Sequence, residues 1–380
     1  MIIDQLPEIS TVQTTDEIPI ERLQTTYKTQ ISKIGSAIFA SPALTGTPTA
    51  PTAYASTDNT QIATTAFANR AAKNAVSTYT RPNLLDNWFF VGGGSQLGYG
   101  VFPINQRGLA TVNSSGYHID RWTNYNITSM TLDSDGITLV ASASGFVLNQ
   151  KIASPASCAG KTLTATALFS SVSGGTAGVR LAVGTAVYSP TTDLSSGGMS
   201  TITRKLTDSN DLTSIGLNIR LSSGTTAKLV AVKLEIGDTQ TLVHNEGTDA
   251  NPVWVLNELP DYAEQLAKCQ RYYFRMPTDS TYIKPVGYGV STNATTLRIA
   301  IPLPQVMFKT PTVTSSSGLV MNGYHGTSSK SFTNPSFSNT YLHGSICSTQ
   351  ITDSGLTANE PYTITIHGSN AFLEFTADIT

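Results

Sequence analysis

Residues 215–236 read IGLNIRLSSGTTAKLVAVKLEI, and two segments of this stretch are apolar at every second position. These positions are Ile215, Leu217, Ile219 and Leu221 in the first segment and Val230, Val232, Leu234 and Ile236 in the second. Between them, residues 222–224 have the sequence Ser-Ser-Gly, which favours a turn. Because side chains alternate between the two faces of a strand, this pattern predicts two β-strands that each place one face against a core.

The same period of two recurs toward both ends of the chain. It is found at Leu163, Ala165, Ala167 and Phe169, at Leu297, Ile299, Ile301 and Leu303, at Tyr362, Ile364 and Ile366, and at Leu373, Phe375, Ala377 and Ile379. Further turn signals occupy residues 133–136, 173–175 and 195–198. Many short alternating strands with such turns predict a mostly β protein, with a jelly-roll β-sandwich followed by a C-terminal β-sandwich.

Helices are expected to be few and short. Apolar spacing predicts one over residues 30–39, after two short strands at 18–20 and 25–29. Residues 61–79 are rich in alanine and predict a second helix, which is marginal alone in water because of its length and composition. Residues 260–270 predict a third helix with a proline at its start, where the missing N–H costs nothing.

The composition limits the class of protein. Charged residues make up 13% of the chain, about half of the ~25% that is usual in soluble domains. The net charge of −2 leaves no electrostatic footprint for nucleic acid or an anionic membrane. No apolar run predicts a membrane span, and residues 1–10 lack the basic and apolar regions of a signal peptide.

Three widely spaced cysteines, Cys158, Cys269 and Cys347, predict free buried thiols rather than a disulfide framework. No Cys-x-x-Cys pair or cysteine–histidine cluster occurs in the sequence, so neither zinc nor another metal is expected. No phosphate-binding loop or other cofactor motif is present either. The expectation is a chain without a cofactor.

Residues 44–67 read LTGTPTAPTAYASTDNTQIATTAF, and their side chains are too small to offset the entropy of ordering a core. This stretch closely resembles the spacer of bacteriophage tail-fibre proteins. YAEQLAKCQRYYFR at residues 262–275 resembles the junction that precedes the tip domain of many such fibres. The segment of residues 1–40 resembles the leading part of tail-fibre chains, which attaches the fibre to the tail.

Further segments resemble the framework of a carbohydrate-binding-module-like jelly roll found in phage tail proteins. They are NLLDN at 83–87, INQRG at 104–108, DRW at 120–122 and KLEIG at 233–237. The resemblance implies an elongated, homotrimeric fibre chain carried in the virion. The implied domains are a tail-attachment module at 1–40, a spacer with a short helix at 41–80, a jelly-roll domain at 81–240, a connector with a short helix at 241–270 and a β tip at 271–380.

Candidate binding residues follow from the chemistry of sugars, which bind to flat aromatic faces and to polar side chains that bond hydroxyl groups. Residues 315–349 break the strand period and combine both types, so we interpret them as receptor-binding loops on the tip. The candidates there are Asn322, Tyr324, His325, Phe337, Tyr341 and His343. Trp88 and Tyr99 are further candidates at the entry of the jelly roll, although core packing is the ordinary role of such framework aromatics.

The chain is therefore expected to be a phage tail fibre or receptor-binding protein that adheres to host-cell polysaccharide, and not an enzyme. Two alternatives remain open at this point. One is a fibre-borne depolymerase, which would need two carboxylates across a cleft, and the sequence selects no such pair. The other is a structural collar or adaptor that has no sugar site.

Overall fold

The computed structural model describes residues 80–93, 101–108, 111–207, 212–248, 250–278, 284–326 and 328–379. Of the first 79 residues it describes 13, 15, 17–22, 25–30, 32, 49–53, 63–68 and 71–72. The chain divides into two compact units. One contains residues 1–53 and 57–68, and the other contains residues 54–56 and 69–380.

The first unit contains an antiparallel hairpin of β1 (Glu17–Arg22) and β2 (Thr25–Gln30), which confirms the two predicted strands. Lys28 Nζ and Glu17 Oε2 lie 2.8 Å apart across this hairpin. Residues 65–68 are helical, within the helix predicted over 61–79, and so are residues 71–72 of the second unit. Of the helix predicted over 30–39, the structure describes Gln30, which ends β2, and Ser32, which is helical; the other residues lie outside the described part of the chain.

Two six-stranded antiparallel sheets form what we call the first sandwich. In spatial order, one sheet consists of β11 (Ala186–Tyr188), β10 (Ala177–Val183), β13 (Ile215–Leu221), β8 (Gly145–Lys151), β5 (Trp122–Asn124) and β4 (Gly116–Ile119). The other consists of β12 (Gly198–Lys205), β9 (Thr162–Ser173), β14 (Thr226–Ile236), β7 (Gly136–Ala141), β6 (Ile127–Asp133) and β3 (Thr111–Val112). A short 3-10 helix, Pro155–Cys158, precedes β9. Both sheets contribute to one hydrophobic core.

The eight strands from β7 to β14 have the topology of a jelly roll. Their order is β7-β14-β9-β12 in one sheet and β8-β13-β10-β11 in the other. The chain therefore crosses between the sheets at almost every connection, as in a double Greek key. The mostly β sandwich predicted from the period of two is confirmed.

In β14, the burial of the side chains departs from the strict alternation expected from its sequence. A bulge between Leu229 and Ala231 shifts the register against β9, and Ile236, expected in the core, is 40% exposed at the strand end. Lys233 and Glu235, expected on a solvated face, are fully buried. Residues 241–258 cover them: Glu235 Oε1 accepts from the N–H of residue 241 at 2.7 Å, and Lys233 Nζ lies 2.5 Å from a carboxylate oxygen of residue 258.

A two-stranded hairpin, β15 (Val243–Asn245) and β16 (Trp254–Leu256), extends the first sandwich beyond the boundary predicted at residue 240. Leu242 and Val243 are fully buried in its core, and Trp254 packs against that core. The predicted connector at 241–270 is therefore in large part a cover of the first sandwich.

The helix α1 (Tyr262–Gln270) confirms the third predicted helix. It begins at a different residue from the expected one. Asp261 is the N-cap, and its side chain accepts a hydrogen bond from the Glu264 N–H at 2.8 Å. The proline at residue 260 precedes this cap instead of occupying the first helical turn.

Two further sheets share a separate core and form what we call the second sandwich. The smaller sheet consists of β17 (Tyr273–Pro277), β26 (Phe372–Thr376) and β20 (Thr312–Ser315). The larger consists, in spatial order, of β22 (Ser328–Thr333), β21 (Val320–His325), β25 (Pro361–His367), β18 (Lys284–Asn293), β19 (Thr296–Pro302), β24 (Ile346–Thr352) and β23 (Phe337–His343). All strand pairs are antiparallel.

The interpretation of residues 315–349 as loops is wrong, because most of this segment forms the strands β21 to β24. Two features obscure the alternation of apolar residues in the sequence of this segment. The buried side of β24 includes a polar residue, Thr349, between Cys347 and Ile351. On β23, a bulge between Ser338 and Tyr341 breaks the period.

The NLLDN, INQRG and DRW segments meet around Asn87, which is fully buried. Asn87 Nδ2 donates to the carbonyl oxygens of Ile104 at 2.8 Å and Asp120 at 2.9 Å, and Oδ1 accepts from the Ile104 N–H at 2.8 Å. The Trp122 indole donates to the Asn87 carbonyl at 2.8 Å. The Asn87 N–H donates to Gln265 Oε1 at 2.7 Å, which ties α1 to the first sandwich.

A second polar cluster joins the first sandwich to the end of the chain. Arg107 Nη2 lies 2.9 Å from Asp378 Oδ2, and Arg107 Nε lies 3.6 Å from Asp120 Oδ1. The Arg107 guanidinium also lies over the Tyr273 ring, 3.7 Å from its centroid. Burial raises the pKa of Asp120 to about 6 and also raises the pKa of Asp378, against the lowering effect of Arg107.

Cys158, Cys269 and Cys347 are free and buried, as the sequence predicts. Within the part of the chain that the structure describes, no helix is long and apolar enough to cross a membrane. Among the same residues, no group of histidine, cysteine and acidic side chains is arranged to hold a metal ion.

Candidate functional site

The outer face of the seven-stranded sheet carries a row of side chains that crosses it from β21 to β23. In order, the row consists of Tyr324, Thr363, Tyr288, Ala300, Ser348 and Tyr341, and each residue lies directly opposite the next. Directly opposed residues point to the same face of a sheet. Their strand neighbours Ile364, Ile299 and Cys347 are buried in the core, so the row lies on the solvent side.

A second row runs parallel to the first, two residues away along each strand except β23, where the bulge makes the step three residues. It consists of Pro361, Val290, Arg298, Gln350 and Ser338, again with each residue opposite the next. The two rows together give this face aromatic, apolar, polar and cationic side chains. We call this surface the tyrosine face.

Two adjacent clefts lie on the tyrosine face. The larger has a volume of about 530 Å³ and is bordered by Tyr288, Tyr324 and His325. The smaller has a volume of about 440 Å³ and is bordered by Tyr341 and His343. Arg298 and Ser348 line both clefts, so these two residues mark the boundary between them.

Two of the three tyrosines of this face are highly exposed to solvent, and Tyr324 is half-buried. Tyr288 is 73% exposed and Tyr341 is 58% exposed, whereas Tyr362 is 5% exposed. An exposed tyrosine offers a flat apolar ring and a hydroxyl that donates and accepts hydrogen bonds. Tyr288 lies on β18, which is paired on both sides, and Tyr341 lies on the edge strand β23, which is paired on one side with β24, so the sheet fixes the spacing of their backbone positions.

Polar contacts hold the margins of the clefts. At the larger cleft, His325 Nε2 lies 3.0 Å from Glu360 Oε2, and the His325 ring centroid lies 5.8 Å from that of Tyr362. At the smaller cleft, Asn339 Nδ2 donates to Gln350 Oε1 at 2.7 Å. Asn339 has a φ of 46°, a left-handed conformation that asparagine tolerates better than most residues, and it sits in the bulge of β23.

The structure brings four of the predicted site residues together: Tyr324, His325, Tyr341 and His343 all line these clefts. Asn322 does not join them as a free amide, because it is 6% exposed and its Oδ1 accepts from the Ser331 hydroxyl at 2.6 Å. Phe337 packs against the core of the second sandwich.

The candidates in the first sandwich are placed differently. Trp88 is 4% exposed and belongs to the hydrophobic core, so it presents no face to a ligand. Its burial agrees with the ordinary role of framework aromatics. Tyr99 lies outside the described residues.

Tyr288 and Arg298 are central to the tyrosine face, and the sequence reasoning did not select either. A signal for Tyr288 exists in the sequence Gly-Tyr-Gly at 287–289. A Cβ on Gly287 would lie 2.2 Å from the Ala300 carbonyl oxygen, and a Cβ on Gly289 would lie 2.8 Å from that of Arg298. A tyrosine between two glycines in a strand therefore indicates a ring on one face of the sheet, at a place where the glycines on the other face leave room for the neighbouring strand's backbone.

No family model matches the chain, and no curated protein is significantly similar to it. Among solved structures, the chain is similar to the tandem CBM22-1-CBM22-2 domain at the N-terminus of Xyn10C from Paenibacillus barcinonensis. The identity is 7%, the similarity covers 79% of this chain and 98% of that chain, and the TM-score is 0.25. At this identity and TM-score, the similarity supports no conclusion about the tyrosine face, which is described from its own geometry.

Proposed function

We propose that this protein is a phage tail fibre or receptor-binding protein that adheres to host cell-surface glycans through the tyrosine face. The observation that carries the proposal is the row of Tyr324, Tyr288 and Tyr341 across one solvent-exposed sheet. At ~4.8 Å between neighbouring strands, a row over six strands is about 24 Å long. That length accommodates several linked sugar units.

The chemistry of the face suits a saccharide better than a globular partner. Sugars present flat C–H surfaces that pack on aromatic rings, and hydroxyl groups that pair with amides and hydroxyls. The clefts supply both types side by side, with Ser348 between Ala300 and Tyr341 and with Gln350 next to Arg298. Rings on paired strands need little ordering when a ligand binds, which lowers the entropic cost of binding.

The role in a phage tail rests on the sequence resemblances at residues 44–67, 83–87 and 262–275. In that role, residues 1–40 bind tail or baseplate proteins, and three copies of the chain form the fibre in the virion. Weak glycan sites on three chains act together, so the effective concentration raises the avidity of the whole fibre. The proposal treats the protein as an adhesin without catalytic activity.

The test is binding of the full-length protein to immobilised polysaccharides and to bacterial cells, compared with Tyr288→Ala and Tyr341→Ala variants. We expect each variant to lose at least about tenfold in apparent affinity, because a stacking ring contributes ~1–1.5 kcal/mol per site and several sites act together. Tyr125→Ala is the matched control. Tyr125 is also a surface tyrosine, 45% exposed, but lies on the first sandwich.

Three results would contradict the proposal. Equal loss in the Tyr125→Ala control would place binding elsewhere. Absence of any glycan or cell binding by the unaltered protein would favour the structural collar or adaptor. Release of reducing ends from a bound polysaccharide would identify a depolymerase.

A further inference from the structure

Arg298 stands out among the charged residues of the second sandwich. It is exposed in the middle of the tyrosine face, and it lines both clefts. Among the described residues, its guanidinium has no hydrogen-bond, ion-pair or ring partner. An arginine carries five N–H donors and a permanent positive charge, so this side chain is available to an incoming group.

The other arginines between residues 80 and 379 differ from Arg298 in this respect. Within the described chain, each of them contacts a carboxylate, a carbonyl oxygen or an aromatic ring. Arg107, Arg121 and Arg180, for example, each pair with an aspartate. Among the described residues of this region, Arg298 is therefore the arginine whose guanidinium the protein itself leaves without a partner.

The surroundings of Arg298 preserve its charge for a ligand. Neither cleft is lined by an aspartate or a glutamate among the residues that the structure describes. Glu360, which precedes the cleft residue Pro361 in the chain, is paired with His325, with 3.0 Å between Oε2 and Nε2. The cross-strand neighbours of Arg298 are Val290 and Gln350, which are uncharged.

We propose that the tyrosine face selects acidic glycans, and that Arg298 binds their carboxylate or phosphate group. This inference rests on the proposed function and specifies its ligand class. The planar guanidinium matches a carboxylate or phosphate with two parallel hydrogen bonds. Tyr288 in one cleft and Tyr341 in the other flank that charge, so sugar rings on both sides of the acidic unit have a surface to pack on.

The experiment measures binding of the full-length protein to three immobilised polymers: polygalacturonate, poly(glycerol phosphate) and neutral dextran. We expect the unaltered protein to prefer an acidic polymer over dextran by at least about tenfold, with the preference falling as salt is raised. Arg298→Gln removes the charge but keeps a polar side chain, and it should abolish the preference. Arg298→Lys keeps the charge without the two-bond geometry, and it should retain part of it. The better-bound acidic polymer identifies carboxylate or phosphate as the group.

The outcomes separate this inference from the proposed function. If the protein binds dextran as well as the acidic polymers and Arg298→Gln binds normally, glycan binding stands and acid selection is wrong. If the protein binds bacterial cells but none of the three polymers, the inference is wrong and adhesion stands; if it binds neither cells nor polymers, both fail. If Arg298→Gln changes the oligomeric state in light scattering, the face is an interface between copies of the chain and the inference is wrong. Equal melting temperatures of the variants and the unaltered protein confirm that a loss of binding is not a loss of folding.

Discussion

Asn87 illustrates how one side chain organises the entry to the first sandwich. Its φ of 52° lies in the left-handed region, where asparagine is tolerated better than most residues. In that conformation its side-chain amide forms hydrogen bonds with two separate backbone segments, at Ile104 and Asp120. The Asn87 carbonyl oxygen accepts from the Trp122 indole, and the Asn87 N–H donates to Gln265. The backbone groups of Ile104 and Asp120 that pair with this amide are buried, so water does not replace the lost hydrogen bonds if the amide is removed.

We expect Asn87→Ala to lower the free energy of unfolding by about 4 kcal/mol. Each buried backbone group left without a partner costs ~1–3 kcal/mol, and alanine adds strain at a positive φ. Chemical denaturation of the variant and of Asn113→Ala, an exposed control, would measure this. Equal stability of the two variants would show that the network around Asn87 is dispensable.

Trp88 and Tyr341 allow the same comparison between a buried and an exposed side chain, here for two aromatic residues. Trp88→Ala removes a 4% exposed core side chain and should destabilise the protein by ~3–5 kcal/mol. Tyr341→Ala removes a 58% exposed ring and should change stability by no more than ~0.5 kcal/mol. Thermal unfolding of both variants checks this. A large loss in Tyr341→Ala would mean that its ring packs against a second copy of the chain.

At the scale of elements, α1 depends on its N-cap and on its attachment to the first sandwich. The cap is the Asp261 side chain, which satisfies the Glu264 N–H. The attachment is Gln265, buried on the side of the helix that meets Asn87. A helix of nine residues is not stable by itself, so both contacts are needed to fix it between the two sandwiches.

Asp261→Ala should lower the free energy of unfolding by ~1 kcal/mol, because the helix loses a side-chain acceptor for one of its first N–H groups. Asp261→Ser, which keeps an oxygen at the cap, should lose much less. Hydrogen exchange of the amides in residues 262–270 would locate the effect. Equal exchange in all three proteins would exclude a role for the cap.

At the scale of the whole molecule, burial of acids at the junction of the two sandwiches makes stability depend on pH. Burial raises the pKa of Asp120 from its ordinary 3.8 to about 6. The folded protein therefore binds more protons at this site than the unfolded chain between those values. Its contribution is fully present below pH 3.8 and is lost as the pH rises through about 6.

The prediction is that Asp120→Asn gains stability relative to the unaltered protein as the pH rises from 4 to 7. A shift of about two pKa units corresponds to ~3 kcal/mol of differential stability. Denaturation curves at several pH values measure it, with the exposed Asp238→Asn as control. Asp378, whose pKa is also raised, keeps its own pH dependence in the variant. A constant difference between variant and unaltered protein would refute the assignment.

We also expect three copies of the whole chain to associate into a trimer. Residues 1–40 and the alanine-rich segment of residues 61–79 each offer little apolar surface to a core of their own, so we expect them to associate between chains. Light scattering of the full-length protein should give about three times the 40.3 kDa chain mass. A monomer at micromolar concentration would contradict both the trimer and the avidity mechanism.

The amino-acid pattern alone predicts that the protein is mostly β, because a period of two can be read wherever a strand has one face in a core, as at residues 215–221 and 297–303. It also predicts α1, the three buried free thiols and two members of the tyrosine face, Tyr324 and Tyr341, since tyrosines in residues 315–349 have few roles besides packing and binding. It failed where both faces of a strand are covered, as at Lys233 and Glu235, and where a bulge breaks the period, as in β23.

The order of the strands in each sheet becomes known from the folded protein, and the site depends on that order. Tyr324 and Tyr288 are far apart in sequence, yet one strand separates them because β25 inserts between β21 and β18. Arg298 gains its importance from the absence of an acid beside it among the described residues, which is a property of the assembled face. Local periodicity records the burial of each residue, whereas cross-strand pairing comes from long-range contacts that no single segment encodes.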